Sequence, residues 1–164
     1  MGALDHVRKK FHQVSETPFE QGWQFRLNIQ DAPSDLDLYV KDISYGATEI
    51  STDAKRVGAI TFNDPVSAEP VTLALTCRDH EDGRVATWFD SLAARVVNPD
   101  GTVNLPAQYL FEVSVMALKE DGSEEERERW IVLPLTRGDT TKSVATTDAF
   151  VEIPLTFIQY RSLG

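Results

Sequence analysis

The sequence predicts a mainly antiparallel β fold, a sandwich or partial barrel, with one packed α-helix that lends it a minor α+β character. Three observations carry this reading. Short segments alternate apolar and polar residues at a period of two, dense turn signals separate them, and one window keeps a helical period instead. The turn signals are Ala32-Pro33-Ser34, Asn63-Asp64-Pro65, Asp82-Gly83, Asn98-Pro99-Asp100-Gly101, Asp121-Gly122 and Arg137-Gly138-Asp139. Such groups supply the tight or left-handed backbone that joins neighbouring strands.

In chain order, residues 1–22 read as an N-terminal arm in which Leu4, Val7 and Phe11 line up at helical spacing, so a short helix over Leu4 to Phe11 is expected. Residues 23–164 read as a single β domain, because no linker, internal repeat or low-complexity tract divides them. Phe25, Leu27 and Ile29 alternate with Gln24, Arg26 and Asn28, and Leu36, Leu38 and Val40 alternate with Asp37, Tyr39 and Lys41. Both patterns predict strands with one solvated face. Ala47 to Ser51 and Val57 to Phe62 flank Asp53-Ala54-Lys55-Arg56 and predict a hairpin. It carries few large apolar residues for its length and is therefore expected to project from the core. Val71, Leu73, Leu75 and Cys77, alternating with Thr72, Ala74, Thr76 and Arg78, predict the next strand.

Val85, Trp88, Phe89, Leu92 and Val96 then form one helical stripe of core residues, and a helix is predicted over Arg84 to Val97, entered at Asp82-Gly83 and stopped by Asn98-Pro99-Asp100-Gly101. Tyr109 to Leu118 is apolar on both faces, as expected of a strand covered on one side by something other than the domain's own core. Ile131, Leu133 and Leu135 follow a loop, Lys119 to Arg129, and pair with it as a hairpin around an acidic tip, Glu124 to Arg129. That tip reads either as solvated and self-paired or as a partner contact. Val151, Ile153, Leu155 and Phe157 alternate with Glu152, Pro154 and Thr156 in a last strand. Pro154 has no ladder donor and is expected at an edge, or with its nitrogen turned from a neighbour.

With 164 residues, 41% of them hydrophobic, the chain is long enough to bury a core without staples. Cys77 is the only cysteine, which excludes an internal disulfide and fits folding in a reducing compartment. The first residues, MGALDHVRKKFHQ, carry charge without an apolar run, and no window approaches the ~20 apolar residues of a span; neither a signal peptide nor membrane insertion is expected. A net charge of -10 argues against a surface that wraps nucleic acid and predicts repulsion from it.

Candidate chemistry is sparse. His6, His12 and His80 are too scattered for a metal cage, and no Cys/His pair has zinc spacing. Asp79-His80-Glu81-Asp82-Gly83 could gather oxygen ligands, but lacks the alternation of a calcium loop and reads as a solvated turn with acids at a helix N-terminus. There is no nucleophile elbow, and Cys77 shares the apolar face of its strand. Nine glycines form no phosphate-binding pattern. No enzyme activity and no cofactor are expected. Trp23 and Trp130 each stand beside a strand and fit either a core or an interface.

A chain of this kind resembles the tail tube proteins of contractile-tailed bacteriophages, within the tail tube and type VI tube superfamily. The residues that carry the likeness are FRLNIQ, the hairpin through AKRVGAITFND, VTLALTC leading into WFDSLAARV, the NPDG turn, YLFEVSVMAL, RWIVLPL and the terminal DAFVEIPLTFIQYRSL. The resemblance covers about residues 19 to 164 and implies six-membered rings that stack into a hollow tube, each subunit lending strands to a shared inner β-barrel. It further implies that the hairpins of residues 36–63 and 109–135 line the channel, with Asp37, Lys41, Glu112 and Ser114 facing the lumen, and that Ala47 to Phe62, with Asp53, Lys55 and Arg56, contacts the next ring. Six copies at -10 each carry -60, which lets a genome pass without sticking. The implied partners are the chain itself, a sheath, a tape-measure protein, a baseplate initiator and a tail terminator, in a virion tail assembled in the host cytoplasm. Within this class a tube initiator or a type VI secretion tube protein would look alike; outside it, a monomeric β-sandwich binding module would.

Overall fold

The computed structural model describes residues 2–34, 36–46, 48–145 and 150–162. Met1, Ala47, Asp148, Ala149, Leu163 and Gly164, each part of a segment cited above, lie outside them. In chain order the elements are α1 (Ala3–Glu16), β1 (Phe25–Ile29), α2 (Leu36–Tyr39), β2 (Val40–Tyr45), β3 (Glu49–Val57), β4 (Ile60–Glu69), β5 (Thr72–Arg78), α3 (Arg84–Val96), α4 (Pro106–Tyr109), β6 (Phe111–Leu118), β7 (Glu124–Arg137) and β8 (Glu152–Gln159).

The period of two sorts the side chains. Six strands form one antiparallel sheet in the order β1-β6-β7-β8-β5-β2, and one face of it carries Leu27, Ile29, Leu73, Leu75, Cys77, Phe111, Val113, Val115, Trp130, Val132, Ile153, Leu155 and Phe157, all buried. Helix α3 lays Val85, Trp88, Phe89 and Leu92 onto that face, with Val96 half-buried at the end of the stripe. Phe157 is the hub, its ring 5.6 Å from Phe89, 5.6 Å from Phe111 and 6.3 Å from Trp88. The Trp88 indole N–H is buried without a hydrogen-bond partner.

The sheet curls around this core without closing. Neighbouring strands lie about 4.8 Å apart, so in a flat sheet β2 and β7 would be about 14 Å apart. The Tyr45 and Trp130 rings nevertheless meet at 5.1 Å, and Trp23, Phe25 and Arg26 line one cleft with Val40 to Ile43 from the opposite edge. The result is a partial barrel, open between the free edges of β1 and β2.

Several expectations change. Residues 36–39 are a helical turn, not a strand: the Leu36 N–H donates to the Pro33 carbonyl at 3.0 Å, and the turn buries Leu36 while leaving Leu38 exposed. The acidic run from Glu124 belongs to β7, not to a loop, because opposite charges meet along and across the strands. Arg129 reaches Glu112 at 3.0 Å and Glu126 at 2.8 Å, Arg26 reaches Glu124 at 3.2 Å, and Lys119 reaches Glu125 at 3.1 Å. The phase of β7 is also inverted: Trp130 and Val132 face the core, whereas Ile131 and Leu135 are exposed. Pro154 lies in an interior strand, at the level where β7 has ended opposite Leu155; its carbonyl accepts from the Gly138 N–H at 2.7 Å, and a side chain at Gly138 would collide with its ring. Helix α1 is longer than expected, and none of its residues is buried.

Candidate assembly surfaces

Strands β3 and β4 pair only with each other, as a two-stranded sheet outside the six-stranded one. Of their described residues only Ser51, Ala68 and Glu69 are even half-buried, so the hairpin projects from the core. Its turn is not Asp53 to Arg56. The register runs from Glu49 opposite Glu69 to Val57 opposite Ile60, which puts the turn at Gly58-Ala59, where Gly58 has φ +63°, and leaves Asp53, Lys55 and Arg56 within β3. A left-handed position suits glycine and fixes the turn there.

Alternation places Lys55 and Arg56 on opposite faces. Lys55 pairs with Asp64 at 3.0 Å, while the Arg56 Nε–H donates to the Gly58 carbonyl at 3.0 Å and braces the turn. Asp53 stands directly opposite Asp64. On the same face as Lys55 lie Val57, Ile60 and Phe62, each more than half exposed. At the hairpin base the Ser51 and Ser67 hydroxyls donate to the Glu69 carboxylate and hold its pKa below the ordinary value. The apolar tip was missed in the sequence because Lys55 and Arg56 drew the turn to themselves; the alternation of Val57, Ile60 and Phe62 around Gly58 was the available signal.

A second surface is the face of the six-stranded sheet opposite the core. Lys41, Glu112 and Ser114 share it: Lys41 bonds Glu152 at 2.9 Å, Glu112 holds Arg129, and Ser114 lies in register between Asn28 and Arg129. Ser114 is buried by these long neighbours' strands and Lys41 is exposed, so the trio is not one site but a spread of polar positions across the sheet. Asp37, named with them, belongs to α2, and its side chain lies outside the described residues. Ile131 and Leu135 add exposed apolar area to this face.

The remaining candidates serve the fold. The Asp79 carboxylate accepts from the Val85 N–H at 3.0 Å and so satisfies a free donor at the start of α3. Asp82 pairs with Arg84 at 2.7 Å, and that hydrogen bond, with His80 beside it, lowers its pKa. Among the described residues no group of three or more His, Cys, Asp or Glu gathers as metal ligands. Burial, with the Asp79 charge, pushes the Cys77 thiol up to about 12. Trp130 is a core residue, whereas Trp23 is exposed, its indole N–H donating to Gln21 at 2.8 Å. No described helix is long and apolar enough to cross a membrane.

No protein-family model matches the chain, and no curated protein sequence matches it. Solved structures match its fold. A chain in the sheath–tube complex of an extracellular contractile injection system (PVC), in the extended state, is similar over 92% of this chain and 93% of its own, with TM-score 0.61 and 14% identity. A chain in the sheath/tube terminator of that system matches over 89% and 95%, with TM-score 0.61 and 15% identity. One in the tube-terminating cap of the anti-feeding prophage matches over 88% and 89%, with TM-score 0.63 and 13% identity. The chain therefore has a tube-like fold found in contractile tail systems, shared along nearly its whole length.

Proposed function

We propose that the chain is a structural subunit of a contractile tail tube, assembling six to a ring and stacking ring on ring around a hollow, acidic channel. The observation that carries this is the match in fold along 92% of this chain and 93% of a chain in a sheath–tube complex. The architecture supports it physically. An unclosed barrel has two free edges, β1 and β2, and closed assembly is the usual way to remove such edges. A projecting hairpin with an exposed apolar tip reaches beyond the subunit, as a ring-stacking element carrying Asp53, Lys55 and Arg56 would. Lys41, Glu112 and Ser114 then face the channel from the sheet's outer face, and the net charge of -10 keeps a nucleic-acid cargo from adhering. In this reading the chain catalyses nothing, takes no cofactor, and meets a sheath, a tape-measure protein, an initiator and a terminator in a virion tail built in the host cytoplasm.

A second reading, a terminator or cap at the end of such a tube, is supported by the matches in fold to chains in a sheath/tube terminator and in a tube-terminating cap. Sedimentation velocity across a concentration series separates the two. A tube subunit passes from monomer or hexamer to species without an upper limit of mass, whereas a cap stops at one ring. A chain that stays monomeric throughout contradicts both.

A further inference from the structure

At the end of the partial barrel where β1 begins and β2 and β6 finish, the chain arriving from α1 leaves two adjoining cavities of about 370 and 290 Å³. Barrel mouths are frequent ligand sites, and these volumes lie near the lower end of the ~300–1,000 Å³ range of small-ligand pockets. The walls are largely apolar: Phe19, Ala117 and Leu118 line the larger cavity, and Phe25, Ile43 and Tyr45 line the smaller. Gln24 lines both and is only 8% exposed. Its backbone is tied on two sides, the N–H donating to the Gln21 carbonyl at 3.0 Å and the carbonyl accepting from the Leu118 N–H at 3.1 Å. Its Oε1 accepts from the Gln21 N–H at 2.6 Å, while its Nε2 has no partner among the described residues. A fixed, buried amide donor without an acceptor gains most from a ligand that brings one.

The rim sets the charge of that ligand. Lys119 and Arg127 both turn to Glu125, at 3.1 and 3.5 Å, and Asp121 accepts from the Ser123 hydroxyl at 2.6 Å. The Glu20 and Glu120 side chains also line the larger cavity, and their exposed carboxylates have no partner among the described residues. We propose that this mouth binds an extended polypeptide segment in which an aromatic residue is flanked by basic ones. The ring packs beside Phe19 and Leu118, a neighbouring backbone carbonyl accepts from Gln24 Nε2, and the cations meet Glu20 and Glu120. Two cavities that share one donor suit an extended chain, whose successive side chains point to opposite sides of its backbone. The site is complete within a single chain and does not depend on the tube reading.

Saturation-transfer NMR of the peptide acetyl-Lys-Phe-Lys-amide tests the site in the full chain, held below any concentration at which it assembles. Saturable transfer is expected, stronger to the Phe ring than to the lysine side chains. Gln24→Glu keeps the acceptor for the Gln21 N–H but removes the donor, and weakens binding about fivefold. Glu20→Lys with Glu120→Lys weakens it about tenfold and raises the binding of acetyl-Glu-Phe-Glu-amide by a similar factor. The two rim sites are exposed, so circular dichroism of that variant stays at the wild-type value and the rim test holds even where the Gln24 variant fails to fold. No saturable transfer to the wild-type chain, or binding unchanged in either folded variant, overturns the proposal. Equal transfer to acetyl-Lys-Ala-Lys-amide assigns the effect to the acidic surface alone and overturns it as well. A chain that binds the peptide in this pattern but never forms tubes contradicts the tube reading and leaves the site standing.

Discussion

At the scale of single residues, Phe157 and Cys77 show how one alternation does two jobs. Both sit on the inward face of the sheet, and both are fully buried. Because Phe157 touches three other rings from α3 and β6, Phe157→Ala leaves a cavity that the sheet cannot collapse into; chemical denaturation is expected to show a loss of about 3–5 kcal/mol. Cys77 is held as a thiol by burial, its pKa near 12. A thiol-specific reagent at neutral pH is therefore expected to label it only in denaturant, and rapid labelling of the native chain would contradict its placement. Both positions were legible in the sequence from period alone. Trp130 was not, since its neighbours Ile131, Leu133 and Leu135 form an equally apolar set on the other face, and only the register against β6 decides which set is inside.

The two hairpins contrast at the scale of elements. In β6–β7 an acidic run becomes strand because each basic residue finds a carboxylate, and the turn is tied by Asp121, whose pKa is lowered chiefly by the Ser123 hydroxyl, then by its N–H. Lys119 hydrogen-bonds Glu125 and lowers it in the same way. A carboxylate whose folded pKa is depressed contributes stability above its unfolded value and loses it as pH falls through the folded one. Amide exchange at this hairpin tip is accordingly expected to be slow at neutral pH and to gain local opening, relative to the intrinsic rate, only below the ordinary carboxylate range. In β3–β4 the exposed apolar tip lies outside the buried core. Val57→Ser with Phe62→Ser is expected to leave stability within about 0.5 kcal/mol, while ring stacking weakens in sedimentation. An equal loss of stability would show that the hairpin packs on the core after all. The helix α3 was readable because its stripe breaks the prevailing period; the helical turn at 36–39 was not, since Leu36, Leu38 and Val40 satisfy a strand pattern and only the Pro33 carbonyl bond selects the turn.

For the molecule as a whole, composition and alternation led to a mainly β fold with one helix, and the structure has that fold. What alternation could not convey is how far the sheet curls, because curl is set by side chains that meet across the core, such as Tyr45 and Trp130. The same limit applied to the assembly surfaces: an exposed apolar tip and an unburied amphipathic helix are visible as such only once the rest of the chain is seen to leave them out. The proposed tube accounts for these features together, giving the open edges, the hairpin and the acidic surface one use each. Negative-stain electron microscopy of the purified chain across a concentration series tests it most directly. The account predicts hollow rings with sixfold averages that stack into tubes of uniform width as concentration rises; solid particles of monomer size at every concentration, including after addition of preformed tube ends, would contradict it.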